Sequence, residues 1–400
     1  MIGSGPRIIE LDNPIRDYPW GSTTAIPQLL GREPDGRPAA ELWIGAHPDS
    51  PSRAVAHADQ PGLDALIERD PDRLLGEASV ARFGPRLPFL LKVLAADRAL
   101  SLQVHPDAVQ AEQGYAAEQA AGRSADDPRR NYTDAHHKPE MAYALTELQA
   151  FCGFRPVAET VRLLDALAVP ELSAYRDRLT APDGLRQVFT ELLTLAEPSR
   201  TALLDAVLAG CRRLAGTGAE WAPEAAASLL AAADHPGDLG PVLVLLLNYL
   251  RLAPGEAIFL GAGNVHAYLR GVCVELLANS DNVLRCGLTG KHVDVSELVR
   301  IADFSPLPEP RWQPSASTGQ RVEFDVPVPD FRLLVCRGEV ELPGGQPYLV
   351  LAGEQPVTVL GDGSTEQLRP WHAAFVAAGD GNCTARTEGR IFVATVGLAG

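Results

Sequence analysis

In SLQVHPD, Gln103 and His105 stand two residues apart, so a strand through them projects both side chains from one face while Leu102 and Val104 point the other way. Glu140 follows Pro139, which holds Lys138 extended and favours a strand start. His266 lies in PGEAIFLGAGNVHAY, where a Pro-Gly turn, a short strand and a glycine-rich turn deliver one imidazole to a further strand. Two imidazoles, a carboxylate and an amide oxygen on β elements suit a divalent cation, and nitrogen with oxygen ligands suits zinc among other first-row ions. A polar pair on the wet face of a strand is the competing reading of Gln103 and His105, and spacing alone leaves both open.

Cations accompany these residues. Only three of the 35 basic residues are lysine, namely Lys92, Lys138 and Lys291. Arginine and lysine substitute for one another on most solvated surfaces, but not where a compact or titratable ammonium is needed. The chain carries a net charge of −16, which argues against a general nucleic-acid or anionic-membrane surface. An anionic ligand would therefore be drawn by a local cluster of cations.

The elements that must hold these residues are mostly strands. From Arg7 to Phe154, runs such as ELWIGAHPDS, LPFLLKVLAADRALSLQVHPD and EMAYALTELQAFCGF are short, apolar and broken by turn residues. Two interruptions, near residues 63–75 and 108–122, read as helix or loop, and GRSADDPRRNYTD is a polar loop. After Pro156, Leu163, Leu164 and Leu167, then Leu185, Val188, Phe189, Leu192 and Leu193, recur at helical spacing. Ser199 is placed to cap another helix, and residues 157–240 form a helical block whose stripes serve packing. Strand character returns in LRLAPGEAIFLGAGNVHAYLRGVCVELLANSDNVLRCGL, and beyond the Pro-rich SPLPEPRWQPS short β runs separated by glycine turns suggest a sandwich or small barrel.

The pattern PGE-x5-AG-x2-H resembles the second cupin motif, and Gln103 and His105 followed by Glu140 resemble a modified first motif with a long insertion. More narrowly, YPWGS (18–22), ELWIGAHP (41–48), LPFLLKVL (87–94), LSLQVHP (100–106), HKPEM (137–141), FCGFRP (151–156), and GNVHAY through NSDNVLRCGLTGKHVDV (263–295) resemble, in order, the type I phosphomannose isomerases. The resemblance implies a mainly β chain: a double-stranded β-helix (cupin, jelly-roll) catalytic barrel from residues 1–156 and 241–310, an inserted helical domain at 157–240, and a second cupin-like β domain at 311–400. It implies one zinc per chain, held by Gln103, His105, Glu140 and His266, and the interconversion of mannose 6-phosphate and fructose 6-phosphate.

Such a reaction opens the sugar ring, removes a proton from C2, passes through an enediol and returns a proton at C1, so it needs acid–base groups and a partner for developing negative charge. Arg285 matches the family's active-site arginine and suits an enediolate or a phosphate. Lys138 is assigned to the enediolate or to proton transfer. Glu275 and Asp281 are both candidate bases; alternatively, Glu275 pairs with an arginine and Asp281 caps a turn in NSDN. Lys92, Ser101, Lys291 and Tyr268 are assigned to the substrate and its phosphate, with a solvated loop as the other reading of Lys291. His47, His136, His137 and His292 are expected to support the site or lie on the surface, and His372 has no partner at cupin spacing.

Two other functions fit two histidines and a carboxylate on this fold: an iron(II) oxygenase, and a sugar-binding regulatory protein that keeps the metal without turnover. Gln103 and the cationic rim argue against the first; Arg285, Lys138, Glu275 and Asp281 together argue against the second. The six cysteines have no paired spacing, so buried, reduced thiols are expected. The N-terminal MIGSGPRIIELDNPIRDYPWG offers charge and helix breakers where a signal peptide needs an apolar run, and the longest apolar stretch is far too short to span a bilayer. A monomeric cytoplasmic protein with a small sugar phosphate as its partner is the expectation.

Overall fold

The computed structural model describes residues 7–55, 59–361, 363–379 and 381–398, so the outermost residues of the expected 1–156 and 311–400 segments lie outside it. One long strand, His266–Ala278, organises the first β unit. Its start pairs with Leu102–Val104 and Leu148–Phe154, and its second half pairs with Phe89–Ala96 and Glu140–Ala144. The chain passes from one sheet to the other at Gly271, where φ is +119° and a Cβ would lie 2.3 Å from the Glu147 carbonyl oxygen. Only glycine meets both demands, so RGVCV carries its glycine where the barrel turns.

Register and the two-residue period of a strand decide which side chains face inward. Trp43, Lys92, Glu275 and Ala142 lie side by side across four antiparallel strands. Two positions along on the same face, Glu41 pairs with Leu94 and Glu140 with Leu277. The interior therefore gathers Glu41, Lys92, Glu140 and Glu275. The alternate residues Leu42, Val93, Val274 and Tyr143 join Phe324, Phe331, Leu349, Phe375 and Phe392 of the C-terminal portion in one buried cluster. Each such buried side chain contributes about 1.5–3 kcal/mol relative to exposure, so the apolar face of the first β unit is also the floor of the second.

The helical block runs from Val157–Leu167 through Ala222–Asp234, and its leucine stripes pack against Leu102, Val104, Phe151 and Phe154 behind the first unit. Ser199 is not a cap. It is the first residue of Ser199–Ala215, with Pro198 before it, while Glu197 accepts from Thr201 N (3.3 Å) and Oγ1 (2.7 Å) and supplies the capping oxygen itself. The far end of the block is tied to the rim of the first unit: Asp234 accepts from Ala99 N (2.7 Å), and His235 Nε2 donates to the Ala99 carbonyl (2.8 Å).

Strand pairing crosses the expected divisions of the chain. Ile8–Asp12 lies antiparallel to Ala373–Val376 and also pairs with Arg53–Ala54, so the first described strand belongs to the C-terminal sheet. Conversely, Arg311–Trp312 pairs with Ala257–Leu260 of the first unit. Backbone groups at a sheet edge take whichever partner lies alongside, and chain order does not record that choice. Among the described residues, no helix is long and apolar enough to cross a membrane. All six cysteines are buried.

Candidate active site

His105, just beyond Leu102–Val104, and His266, at the head of its strand, present their imidazoles to Glu140, the first residue of Glu140–Ala144. His105 Nδ1 donates to the Asn282 carbonyl (2.7 Å) and His266 Nδ1 donates to the Asn264 carbonyl (2.9 Å). A carbonyl only accepts, so each ring keeps its proton on Nδ1 and turns a bare Nε2 lone pair inward. Those lone pairs meet Glu140: Nε2 of His105 is 3.3 Å from Oε1, and Nε2 of His266 is 3.4 Å from Oε2. Acceptors thus face acceptors, and His105 Nε2 and Glu140 Oε2 are buried without a hydrogen-bond partner among the described residues.

Such an arrangement is costly unless a cation lies between the groups. The three ligand atoms lie within 4.8 Å of one another, and the donor set fits a divalent ion. Gln103 joins them through its amide, 3.3 Å from His266 Nε2; rotating that amide presents its oxygen instead. Burial, chiefly, lowers the His105 pKa to about 4, which keeps the ring neutral, as a ligand must be. Burial works to raise the Glu140 pKa, but the Lys138 ammonium beside it holds it well below the ordinary range. Lys138 Nζ lies 3.1 Å from Glu140 Oε1.

Lys92, expected at the phosphate, is enclosed instead by carboxylates, 3.4 Å from Glu41 and 3.3 Å from Glu275. An incoming phosphate would meet both acids, so Lys92 serves the interior charge balance. Burial works to lower its pKa and is outweighed by Glu41 and Glu275, leaving it raised. The Glu275 pKa rises to about 7, burial being the main cause, because one ammonium shared with Glu41 cannot offset the loss of solvent. Glu275 thus pairs with a lysine rather than with an arginine. Glu41 escaped the sequence reading although it sits two residues before Trp43, whose indole N–H it accepts at 2.6 Å; period-two spacing in ELW was the available signal.

Asp281 does not merely cap a turn. Asp49 N donates to His47 Nδ1 (3.2 Å), so the His47 proton resides on Nε2, 3.2 Å from Asp281 Oδ2. His47 is 3% exposed and packs edge-on against Trp43. Asn282 was likewise missed: besides receiving the His105 proton, it donates to the carbonyls of Asp134 and His136 (both 2.8 Å). His136 meets Arg86 (3.3 Å), His137 meets Asp330 (2.9 Å), His292 is exposed, and His372 bonds Arg369 and the Pro370 carbonyl.

One cleft of about 670 Å³ brings most of these groups together; Gln103, Glu140, Lys138, Lys92, Glu275, Asp281, Tyr268, Ser101, Arg285 and Lys291 all line it. All three lysines of the chain are therefore in one place. The Tyr268 hydroxyl is buried without a hydrogen-bond partner among the described residues. Lys138 and Lys92 are paired with carboxylates, whereas Arg285 forms no ion pair among the described residues and its charge lowers the pKa of Lys291. Two cations held near each other with no ion-pair partner among the described residues suit an anion.

A buried nitrogen and oxygen cluster inside a double-stranded β-helix, with acid–base side chains sharing its cleft, defines a metal-binding enzyme of the cupin class. Residues 8–157 match the phosphomannose isomerase type I catalytic domain. The chain is 40% identical over 394 residues to mannose-6-phosphate isomerase of Escherichia coli, covering 96% of this chain and 98% of that one, and 34% identical to the Bos taurus enzyme, covering 86% and 85%. Among solved structures, it resembles a variant of phosphomannose isomerase from Salmonella typhimurium (TM-score 0.91, 35% identity, 98% of this chain and 100% of that chain). It also resembles a zinc-bound mannose 6-phosphate isomerase (TM-score 0.89, 36% identity, the same coverage). The chain belongs to the type I phosphomannose isomerase family, a membership that favours neither the oxygenase nor the non-catalytic reading.

Proposed function

We propose that this protein is a zinc-dependent aldose–ketose isomerase that interconverts mannose 6-phosphate and fructose 6-phosphate. The observation that carries this reading is that the His105, Glu140 and His266 cluster reaches, through Glu140 and the neighbouring Gln103, the same cleft as the carboxylates Glu275 and Asp281 and the cations Arg285 and Lys291. Zinc held by Gln103, His105, Glu140 and His266 would supply a fixed positive charge to bind and polarise sugar oxygens.

The chain's own side chains do the rest. Arg285 and Lys291, with Ser101, hold the phosphate dianion at the open end of the cleft. Asp281, kept ionised by His47, takes the proton of the anomeric hydroxyl and hands it to the ring oxygen as the C1–O5 bond opens. Glu275, with a pKa near neutrality, accepts the C2 proton and returns it at C1. Lys138 compensates charge on the enediolate oxygens, and Tyr268 offers its unpartnered hydroxyl to a sugar oxygen. We further infer that the protein works as a monomer in the cytoplasm, supplying mannose for GDP-mannose and glycan synthesis or feeding mannose into glycolysis.

Zinc-loaded protein should convert mannose 6-phosphate to fructose 6-phosphate in a coupled assay and lose that activity on chelation. Metal-replete protein that turns over no hexose 6-phosphate would defeat the reading.

A further inference from the structure

Residues 134–138 carry the chain from the polar loop into Glu140–Ala144, and most of their anchors come from the first β unit. The Asp134 carboxylate accepts from Ser280 Oγ (2.9 Å) and Asp281 N (3.0 Å), Asn282 holds two carbonyls, and Arg86 meets His136. His137 turns the other way. Its Nε2 donates to Asp330 Oδ2 at 2.9 Å, and Asp330 belongs to the C-terminal β unit, 193 residues further along the chain.

Asp330 is rigidly mounted. It is 3% exposed and precedes Phe331, which is fully buried in the core shared by the two units. The carbonyl of Pro329 accepts from Gly397 N at 2.9 Å, and a Cβ on Gly397 would lie 3.0 Å from the Phe331 and Val328 carbonyl oxygens. The segment that binds Asp330 to its own unit is therefore closely packed, whereas His137 ends a long polar loop.

We propose that Asp330 is a positioning residue for the active site: through His137 it fixes the backbone on which Lys138 stands, and so makes the C-terminal unit a working part of the catalytic apparatus. The inference deepens the isomerase reading and rests on it for the role of Lys138. A group next in sequence to a held side chain inherits that hold, and a displacement near 1 Å at a reacting group is worth about 10²-fold in rate. The loop keeps its other anchors, so removing this one gives a smaller loss.

Asp330→Ala should lower kcat about tenfold, with KM changed less than about twofold and bound zinc unchanged. His137→Ala should do the same, and the double variant should be no slower than the slower single. In a Lys138→Ala background, Asp330→Ala should have no further effect on kcat, an outcome that general loosening of the fold does not produce. Independently of turnover, amide hydrogen exchange in Asp330→Ala should quicken in residues 133–138 but not in His266–Ala278.

Unchanged kcat in both single variants, or full additivity with Lys138→Ala, overturns the proposal. If Asp330→Ala does not fold, His137→Ala reads the same contact from its less buried side, and normal kcat there overturns it equally. Zinc-loaded unmodified protein that turns over no hexose 6-phosphate sinks the isomerase reading, whereas unchanged exchange in residues 133–138 sinks the positioning inference alone.

Discussion

His47 Nε2 lies 3.2 Å from Asp281 Oδ2, so a buried imidazole holds the carboxylate that lines the substrate cleft. Burial works to raise the Asp281 pKa and is outweighed by the His47 hydrogen bond together with Lys138 and Lys92, leaving it lowered. Two other carboxylates approach Asp281: Asp49, with an oxygen within 4.8 Å of an Asp281 oxygen, and Asp134, which accepts the Asp281 backbone N–H. An Asp281 that acts as a base must be ionised, and kcat/KM falls as pH drops through its pKa. His47→Gln weakens the restraint and leaves the burial, so the second, lower acidic limb of the kcat/KM profile, beneath the one that Glu275 sets near 7, should move up by about one pH unit. A limb that stays in place would exclude Asp281 as the group it reports.

Removal of Glu140 should abolish metal binding and activity together. Glu140 faces both Nε2 lone pairs and is the one carboxylate of the His105 and His266 cluster. Glu140→Ala leaves two neutral imidazoles, an amide and an uncompensated Lys138 ammonium, and repulsion from that ammonium opposes any cation. Zinc content by atomic spectroscopy should drop below about a tenth of stoichiometric, with activity falling in proportion. Full zinc occupancy in this variant would contradict the ligand assignment.

Much of this site could be read from alternation and turn chemistry. Gln103 lies on the strand Leu102–Val104 with His105 just past its end, Pro139 precedes the strand that starts at Glu140, and the scarcity of lysine leads to a cleft lined by all three. Glycine turns and leucine spacing likewise give the strands and the helical block. What lay beyond reach was non-local pairing. Ile8–Asp12 finds Ala373–Val376 across nearly the whole chain, and the Asn282 side chain finds Thr133 and Asp134. Neither contact leaves a local periodicity, because each satisfies backbone groups that any sufficiently close acceptor or donor could satisfy. The carboxylates around Lys92 were hidden for a related reason: Glu41 and Glu275 come from separate strands, and only the register brings them to it.

Lys92 and Lys291 should therefore separate cleanly. Lys92→Met leaves Glu41 and Glu275 buried without their cation, so stability should fall by about 3–5 kcal/mol, seen as a lower Tm. Lys291 is exposed, and Lys291→Ala should leave Tm nearly unchanged while raising KM for mannose 6-phosphate about tenfold. The Arg285 charge, then burial, lowers the Lys291 pKa, so this ammonium is lost at lower pH than an ordinary lysine. KM should rise early on the alkaline side, and Lys291→Arg should flatten that rise, since a guanidinium does not deprotonate there. An alkaline KM profile identical in both proteins would remove Lys291 from the phosphate subsite.

Lys138 gives the sharpest test of why a chain so rich in arginine keeps lysine here. Lys138 is 8% exposed, its ammonium lies 3.1 Å from Glu140 Oε1, and it shares the cleft with Glu275 and Asp281. Arginine preserves the positive charge but replaces a compact, rotatable donor with a planar fork, and the added volume must fit against the His105 and His266 cluster. Charge balance around Glu140 is kept, so zinc should remain bound. The donor no longer reaches the same oxygen, so kcat should fall about 10²-fold with KM much less affected. Loss of zinc in Lys138→Arg would show that the lysine serves the metal cluster; unchanged kcat would show that charge alone suffices at this position.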